Sequence, residues 1–570
     1  MRKILLLACF LPTLLLKAQN PLSIPDTLSG NSITLTIRDS VRTWYPGFPT
    51  NTIGINAAYL GPTLLLNKGD SILFSVQNQL MDSTTLHWHG LHIPPEDDGG
   101  PHTPILPLSS WNPAFTVMDA AGTYWYHPHL HMRTAEHVTK GAAGLIIIRD
   151  STEAQLNLPR RYAVDDFPLV IQSRAFDGSR QFIVETAADS VILVNGTLDP
   201  LLQVPAQVVR LRLLNGSTDR VYNLGLQNNQ VFYQIGSDGG LLNQPVPMSR
   251  LRLAPGERAE ILVNLSGMQG QQVYLVSYGS ELPDGIYGAL NPSSMGMGSI
   301  PGYSANLLNG SDFNIVLLDV TNSTTNPVTS IPATLVSVTP YSSTSANLTF
   351  PVTIAPQVMG PNGMLNGPFE LNGSLFDMNV INHTTSLGYT EIWTIQNNTA
   401  IAHPFHVHGL QFYIFERNGL PPPANEAGRK DVVLVYAQET VKIIMRFEDF
   451  VNDSVPYMYH CHMLTHEEDG MMGQYIVSGP SSAPEYPLAY GPAVYPNPSS
   501  GLFTIALPDM VNGQAHFHIQ DVLGKPVYKG TIALKGGEGV LHLAGLPEGA
   551  YFLTISHPAG SSATKIFITR

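Results

Sequence analysis

Charge is scarce in this chain of 570 residues. Asp, Glu, Lys and Arg make up only 13% of it, roughly half the ~25% of an ordinary soluble domain. Basic residues are scarcest, 29 against 43 acids for a formal charge of −14. That argues against a nucleic-acid binder, because neutralising phosphates needs clustered Lys and Arg. Cysteine is almost missing, with Cys9 and Cys461 alone; if Cys9 leaves with a processed leader, a disulfide scaffold is excluded. No stretch reaches the ~18 apolar residues of a membrane-spanning helix. Helix breakers, by contrast, are abundant. Gly (50) and Pro (45) argue against a long all-helical protein, and an apolar content of 43% argues against disorder.

The N-terminus has the three parts of a secretory signal. Met1-Arg2-Lys3 is basic, Ile4 to Leu16 is mostly apolar, and Lys17-Ala18-Gln19-Asn20 is a polar exit with a small residue for cleavage. A signal peptide is expected over residues 1–19, leaving an exported chain without a transmembrane segment and with Cys461 as its one thiol. Strand-like runs such as Ser71–Val76 and Val208–Leu214 recur between Gly, Pro, Asn and Asp. Many short strands with regular turn signals indicate β-sandwiches or barrels, hence an all-β chain. Breaks near 155–165, at Thr321–Ser345 and at Ser478–Pro484 divide it into blocks 20–160, 161–322 and 346–478 and a tail 492–570.

Histidine is where the sequence departs from chance. Nineteen histidines in 570 positions give less than one His-x-His by chance, and six occur: 87/89, 127/129, 129/131, 406/408, 460/462 and 516/518. Residues i and i+2 share a strand face, so each pair aims two imidazoles at one place. Imidazole suits copper, zinc, iron and nickel. The 516/518 pair in the tail is taken as coincidence. Four of the remaining pairs form two sets. His87-Trp88-His89-Gly90 precedes His127-Pro128-His129, and His406-Val407-His408-Gly409 precedes His460-Cys461-His462. This resembles an internal duplication around an unmatched middle block, and two such blocks facing each other would bring eight imidazoles together.

In His460-Cys461-His462 the thiol faces away from the two imidazoles, so one strand can serve two metal sites. Two His, one Cys and a weak axial Met make a blue-copper electron-transfer site. His466 and Met471 follow at once, and His403 is offset by odd numbers from His406 and His408, as a different site requires. Zinc has no redox chemistry and rarely needs more than four ligands, so copper fits this donor set better.

These motifs, with Tyr124–His129, His403–Gly409 and His460–Met471, strongly resemble the multicopper oxidase family over residues 25–478. Val208–Gly216 and Leu253–Ile261 agree in the middle block. The resemblance implies three cupredoxin-like Greek-key β-sandwiches and four copper ions. Type 1 copper would sit on His403, Cys461 and His466 with Met471 axial, and type 2 on His87 and His406. The type 3 pair would take His89, His127 and His462 for one ion, and His129, His408 and His460 for the other. Electrons from a small reducing substrate would enter at type 1 and reduce dioxygen to water. Asp98 and Glu467 resemble the family's proton-relay carboxylates. His92, His102, His131 and His137 are read as neighbours of the ligands or surface residues.

The short Met359–Met364 segment, with Met295 and Met297 in another block, lacks the long Met-rich insert of cuprous oxidases. The expected activity is therefore laccase-like, on phenols, aromatic amines or bilirubin-like donors. A metallo-oxidase acting on Cu(I) or Fe(II) is the alternative, and a metal-free cupredoxin-fold structural protein the remote one. The tail, opening at Val494–Gly501 and closing with Gly549–Ile555 and Thr564–Arg570, resembles the C-terminal sorting domain of type IX secretion. It is expected to be a small Ig-like β-sandwich that engages the secretion machinery at the cell surface.

Overall fold

Alternation of side chains builds the sandwiches. In the strand Ser71–Asn78, Ile72, Phe74 and Val76 are buried while Ser71 and Leu73 face outward, the period-two pattern of a strand with one face on a core. The computed structural model describes residues 19–479 and 493–569, apart from 508–511, 523–524, 544 and 558–559. The expected signal peptide and Cys9 lie outside the described residues, apart from Gln19. The chain is 48% strand and 6% helix and divides into two compact units at Val477/Ser478.

Among the described residues the first unit holds six sheets in three pairs. One pair runs from Thr27 to Arg149 around Leu35, Phe74, Trp88 and Tyr126. A six-stranded and a seven-stranded sheet, chiefly between Asp166 and Thr321, enclose Leu211, Leu213 and Ile261. Two five-stranded sheets from Leu348 to Ser478 enclose Trp393, Phe405, Tyr459 and Cys461. The N-terminal strand Asn20–Pro21 belongs to the second pair, where it runs parallel to Pro200–Pro205. The second unit is a three-stranded and a four-stranded sheet over a core of Phe503, Ile519, Leu553 and Ile566.

The central strand Val208–Asn215 is buried on both faces. Val209, Leu211 and Leu213 enter the core of the middle sandwich, whereas Arg210 and Arg212 turn the other way. Arg210 bonds Glu153 (2.7 Å) and Glu260; Arg212 bonds Asp166 (2.7 Å), Glu260 (2.6 Å) and Thr123 (2.9 Å). Buried guanidinium groups need such partners, because unpaired buried charge is costly. Here they fix the first and middle sandwiches against each other.

Candidate metal centre

Two short strands from the first sandwich and two from the third carry the histidines. The strand His87–His89 pairs with Gly122–His127, setting His127 opposite His87 and Trp125 opposite His89. Trp88, between the two histidines, enters the core. In the third sandwich His403–Val407 pairs with Asn452–Cys461, setting His406 opposite His460 and Phe405 opposite Cys461. The two sets stack across their interface, His87 on His408 and His89 on His406, each at 3.8 Å between ring centres. All eight imidazoles of the two sets are buried.

Hydrogen bonds fix which nitrogen holds a proton in six of the eight rings. A carbonyl only accepts, so Nδ1–H of His87 donates to Asp98 O (2.9 Å) and that of His406 to Asp431 O (2.7 Å). His127 and His460 donate likewise to Pro128 O (2.9 Å) and Cys461 O (3.0 Å). His408 Nδ1 donates to the Asp98 carboxylate (2.9 Å). Each of these rings is left with a lone pair on Nε2. His89 is reversed: its Nε2 donates to Asp431 Oδ1 (3.0 Å), and its Nδ1 lies 3.3 Å from His127 Nε2.

The freed lone pairs meet. Nε2 of His460 lies 3.0 Å from Nε2 of His129 and 3.1 Å from Nε2 of His408. His87 Nε2, His406 Nε2 and both nitrogens of His462 have no hydrogen-bond partner. Burial, with the neighbouring imidazoles, holds His89, His127, His129, His406, His408 and His460 well below the usual histidine value, and burial lowers His462 to about 3. Protonation therefore does not relieve the clustered lone pairs. A bound cation does, and neutral imidazole is the form that ligates one. His87, His406 and His408 form one candidate set, and His129, His408 and His460 another.

A second centre lies on the other face of the same strand. Cys461 Sγ is 3.6 Å from His403 Nδ1 and 3.7 Å from His466 Nδ1, and the two nitrogens are 3.2 Å apart. His403 Nε2–H donates to Thr399 Oγ1 (2.9 Å), whose own proton goes to Asn397 Oδ1 (2.7 Å), so Nδ1 is again the free ligand atom. Burial raises the Cys461 thiol well above its usual range, so a cation is needed to hold the thiolate. Met471 is buried in the same core. Its N–H donates to His466 O (3.0 Å) and its carbonyl accepts from Cys461 N–H (3.1 Å). The two imidazoles and the thiol have their ligand atoms within reach of one ion, and such a nitrogen–sulfur set suits copper.

Asp98 and Glu467 both reach the imidazole cluster. Asp98 contacts His87 and His408, as above. Glu467 sits 3.3 Å from His460 Nδ1 and 3.7 Å from His129 Nδ1. Burial and the adjacent Glu468 raise its carboxyl well above the ordinary value. His92, His102 and His137 bond Gly409 O, Gln474 and Thr84 instead of the cluster, and His131 packs its ring against Phe376. Asp431 was not singled out in the sequence. It begins no motif and lies 342 positions from His89; only pairing of the strand Val432–Val435 with His403–Val407 brings it in.

Of the candidate ligand histidines, His466 is the one with an open side, 7% exposed where His403 and Cys461 are 0%. It borders a cavity of about 380 Å³ walled by Tyr287, Pro301, Ile401 and Met463. Glu185, Asp219 and Asp469 also line it, and no Lys or Arg does among the described residues. Asp219 accepts a bond from Thr465 Oγ1 (2.6 Å).

The comparisons agree with this geometry. Multicopper oxidase family matches cover residues 39–153, 149–286 and 332–481, and a secretion system C-terminal sorting domain matches 493–569. The multicopper oxidase mco of Staphylococcus epidermidis is 34% identical over 462 residues, 80% of this chain and 90% of its own. The cell division protein FtsP of Photorhabdus laumondii is 30% identical over 467 residues, 80% of this chain and 92% of its own. Among solved structures, the laccase-like multi-copper oxidase CueO of Ochrobactrum sp., with oxidase activity towards lignin model compounds and lignosulfonate, aligns at a TM-score of 0.70. It is 31% identical and covers 80% of this chain and 100% of its own. The three sandwiches are cupredoxin folds. Among the described residues no helix is long and apolar enough to cross a membrane. This chain belongs to the multicopper oxidase family and carries a secretion-type sorting domain at its C-terminal end.

Proposed function

We propose that the chain is an exported, laccase-like oxidase with four copper ions. It would take single electrons from an organic donor, a phenol, aromatic amine or bilirubin-like molecule, and pass four of them to dioxygen, giving two waters. His403, Cys461, His466 and Met471 would hold the type 1 ion, and His87 with His406 the type 2 ion. His89, His127 and His462 would hold one type 3 ion, and His129, His408 and His460 the other. Bound copper would supply the one-electron redox chemistry, four ions matching the four electrons that dioxygen needs. The observation that carries this reading is the strand end His460-Cys461-His462, whose thiol meets His403 and His466 on one face while its imidazoles meet the cluster on the other.

The chain's own groups do the remaining work. His466 offers its open side to the donor cavity. Cys461 is joined through its own peptide units to His460 and His462, a short covalent path between the two ligand sets. Burial of the eight imidazoles keeps bulk water off the reducing site. Glu467, its carboxyl raised by burial, keeps a proton beside His460, and the Asp98 carboxylate accepts a hydrogen bond from His408 Nδ1; Glu467 is placed to supply a proton for water formation and Asp98 to relay one arriving from solvent. The sorting domain would direct the chain to the cell surface through the secretion machinery.

Copper analysis with a visible spectrum tests this directly. The wild type should bind four coppers and be blue, and Cys461→Ser should lose the blue band and oxidase turnover together. A colourless, copper-free protein after reconstitution overturns the proposal. The acidic lining of the cavity and the exposed Met295 and Met297 favour a second reading, a metallo-oxidase acting on Cu(I) or Fe(II). Comparing turnover on a phenol with turnover on those ions separates the two. A metal-free structural role fits poorly with the buried imidazoles and thiol that converge here.

A further inference from the structure

The middle sandwich supplies no imidazole, yet one of its turns reaches the cluster. Ala254–Arg258 leads into the strand Arg258–Asn264. Gly256 has φ +81°, and a Cβ there would lie 2.8 Å from the His462 ring. Two residues on, the Arg258 guanidinium has all five of its donors occupied. Nε bonds Thr123 O (3.2 Å) of the first sandwich, Nη1 bonds Gly256 O (3.0 Å), and Nη2 bonds Asp238 O (2.9 Å). The other two protons go to the two oxygens of Asp431 in the third sandwich. A planar fork on a carboxylate fixes orientation as well as charge.

Asp431 in turn holds one ligand candidate from each side. Its Oδ1 accepts from His89 Nε2 and its backbone carbonyl from His406 Nδ1. The His89 bond is the unusual one. Of the six rings within the eight-imidazole cluster whose proton positions are fixed by hydrogen bonds, five leave Nε2 free and His89 alone leaves Nδ1. Without an acceptor placed at Asp431 Oδ1, nothing in the hydrogen bonding would keep the His89 ring in that orientation.

We infer that Arg258 is a positioning residue for the trinuclear copper site: by clamping Asp431 it sets the ring orientation and tautomer of His89, so the copper-free sandwich forms a third wall of that site. The inference rests on the copper assignment proposed above. Carboxylates that orient metal-bound histidines tune affinity through the ligand they hold. Here the orienting carboxylate is itself oriented from another sandwich. Lysine would keep the charge and lose the fork.

The test compares purified full-length wild type, Arg258→Lys and Asp431→Asn, each reconstituted with copper. Four readouts apply: copper per chain, the blue band, the paramagnetic signal of type 2 copper, and the midpoint of thermal unfolding. Arg258→Lys is expected to keep the blue band at wild-type intensity per chain. It should lose one or more of the other three coppers, or show a shifted type 2 signal. Asp431→Asn should do the same, and the double variant should be no worse than the worse single one, because both act through one contact. Wild-type copper content and an unchanged type 2 signal in Arg258→Lys would overturn the inference. So would loss of the blue band in proportion to the other coppers, which marks a residue that only supports the fold. If the wild type itself binds no copper, the functional proposal fails instead.

Discussion

Asp98 serves two histidines with different atoms, its backbone carbonyl fixing His87 and its carboxylate fixing His408. Asparagine keeps an acceptor for His408 but has no carboxylate to take up or give a proton. Asp98→Asn is therefore expected to retain the blue band and full copper while dioxygen reduction slows roughly 100-fold or more, the usual scale of general acid–base assistance. Stopped-flow reoxidation of the reduced enzyme measures it, and an unchanged rate removes Asp98 from the proton path. Asp219, at the donor cavity, gives a pH prediction. Burial raises its carboxyl to about 6, opposed by bonds from Thr465 and Thr218, with Asp189 a further raising charge. Glu185 and Asp469 stand nearby on the cavity wall and Arg220 pairs with Asp189. Because the folded value lies above the ordinary one, ionisation costs stability as pH rises from about 4 through 6. Across the same interval the cavity gains a negative charge. The KM for a cationic aromatic amine should fall as pH passes 6, and Asp219→Asn should flatten that dependence while leaving a neutral phenol unaffected.

At the scale of elements, the strand His403–Val407 does two jobs by alternation. His403, Phe405 and Val407 face the third core and His406 faces the cluster. Phe405, fully buried opposite Cys461, keeps the thiol strand in register. Phe405→Ala should cost about 3–5 kcal/mol of stability and broaden or weaken the blue band. Thermal unfolding of the copper-loaded protein together with its visible spectrum checks this, and a loss below about 1 kcal/mol would show that the core closes around the cavity. The alternation of His460, Cys461 and His462 was legible in the sequence because a strand repeats every two residues whatever surrounds it. The identity of Asp431 was not, because no local period links it to His89.

For the whole molecule, the cluster joins strands from two sandwiches and is braced by a third, so metal binding should couple to the stability of the first unit. Ligands that bind only the folded state stabilise it by about 4 kcal/mol at a thousandfold excess over Kd. Stripping copper should lower the unfolding midpoint of the first unit, and reconstitution should restore it. Calorimetry of both forms tests this, and identical midpoints would mean that the ligands are held just as firmly by the fold alone. The second unit has its own core of Phe503, Ile519 and Leu553 and offers an internal control, since its transition should not move.

The sequence by itself determined what depends on local period and composition: the strands, the paired imidazoles, the thiol facing away from them, and the soft donors following in Thr465–Met471. These need only a backbone that alternates and the chemistry of each side chain. Tertiary structure decided which imidazoles converge, which nitrogen carries the proton in six of them, and which carboxylate and guanidinium hold them. Those outcomes depend on packing between sandwiches whose histidines lie hundreds of residues apart, on carbonyls that accept and never donate, and on burial that holds His89, His127, His129, His406, His408 and His460 well below the usual histidine value.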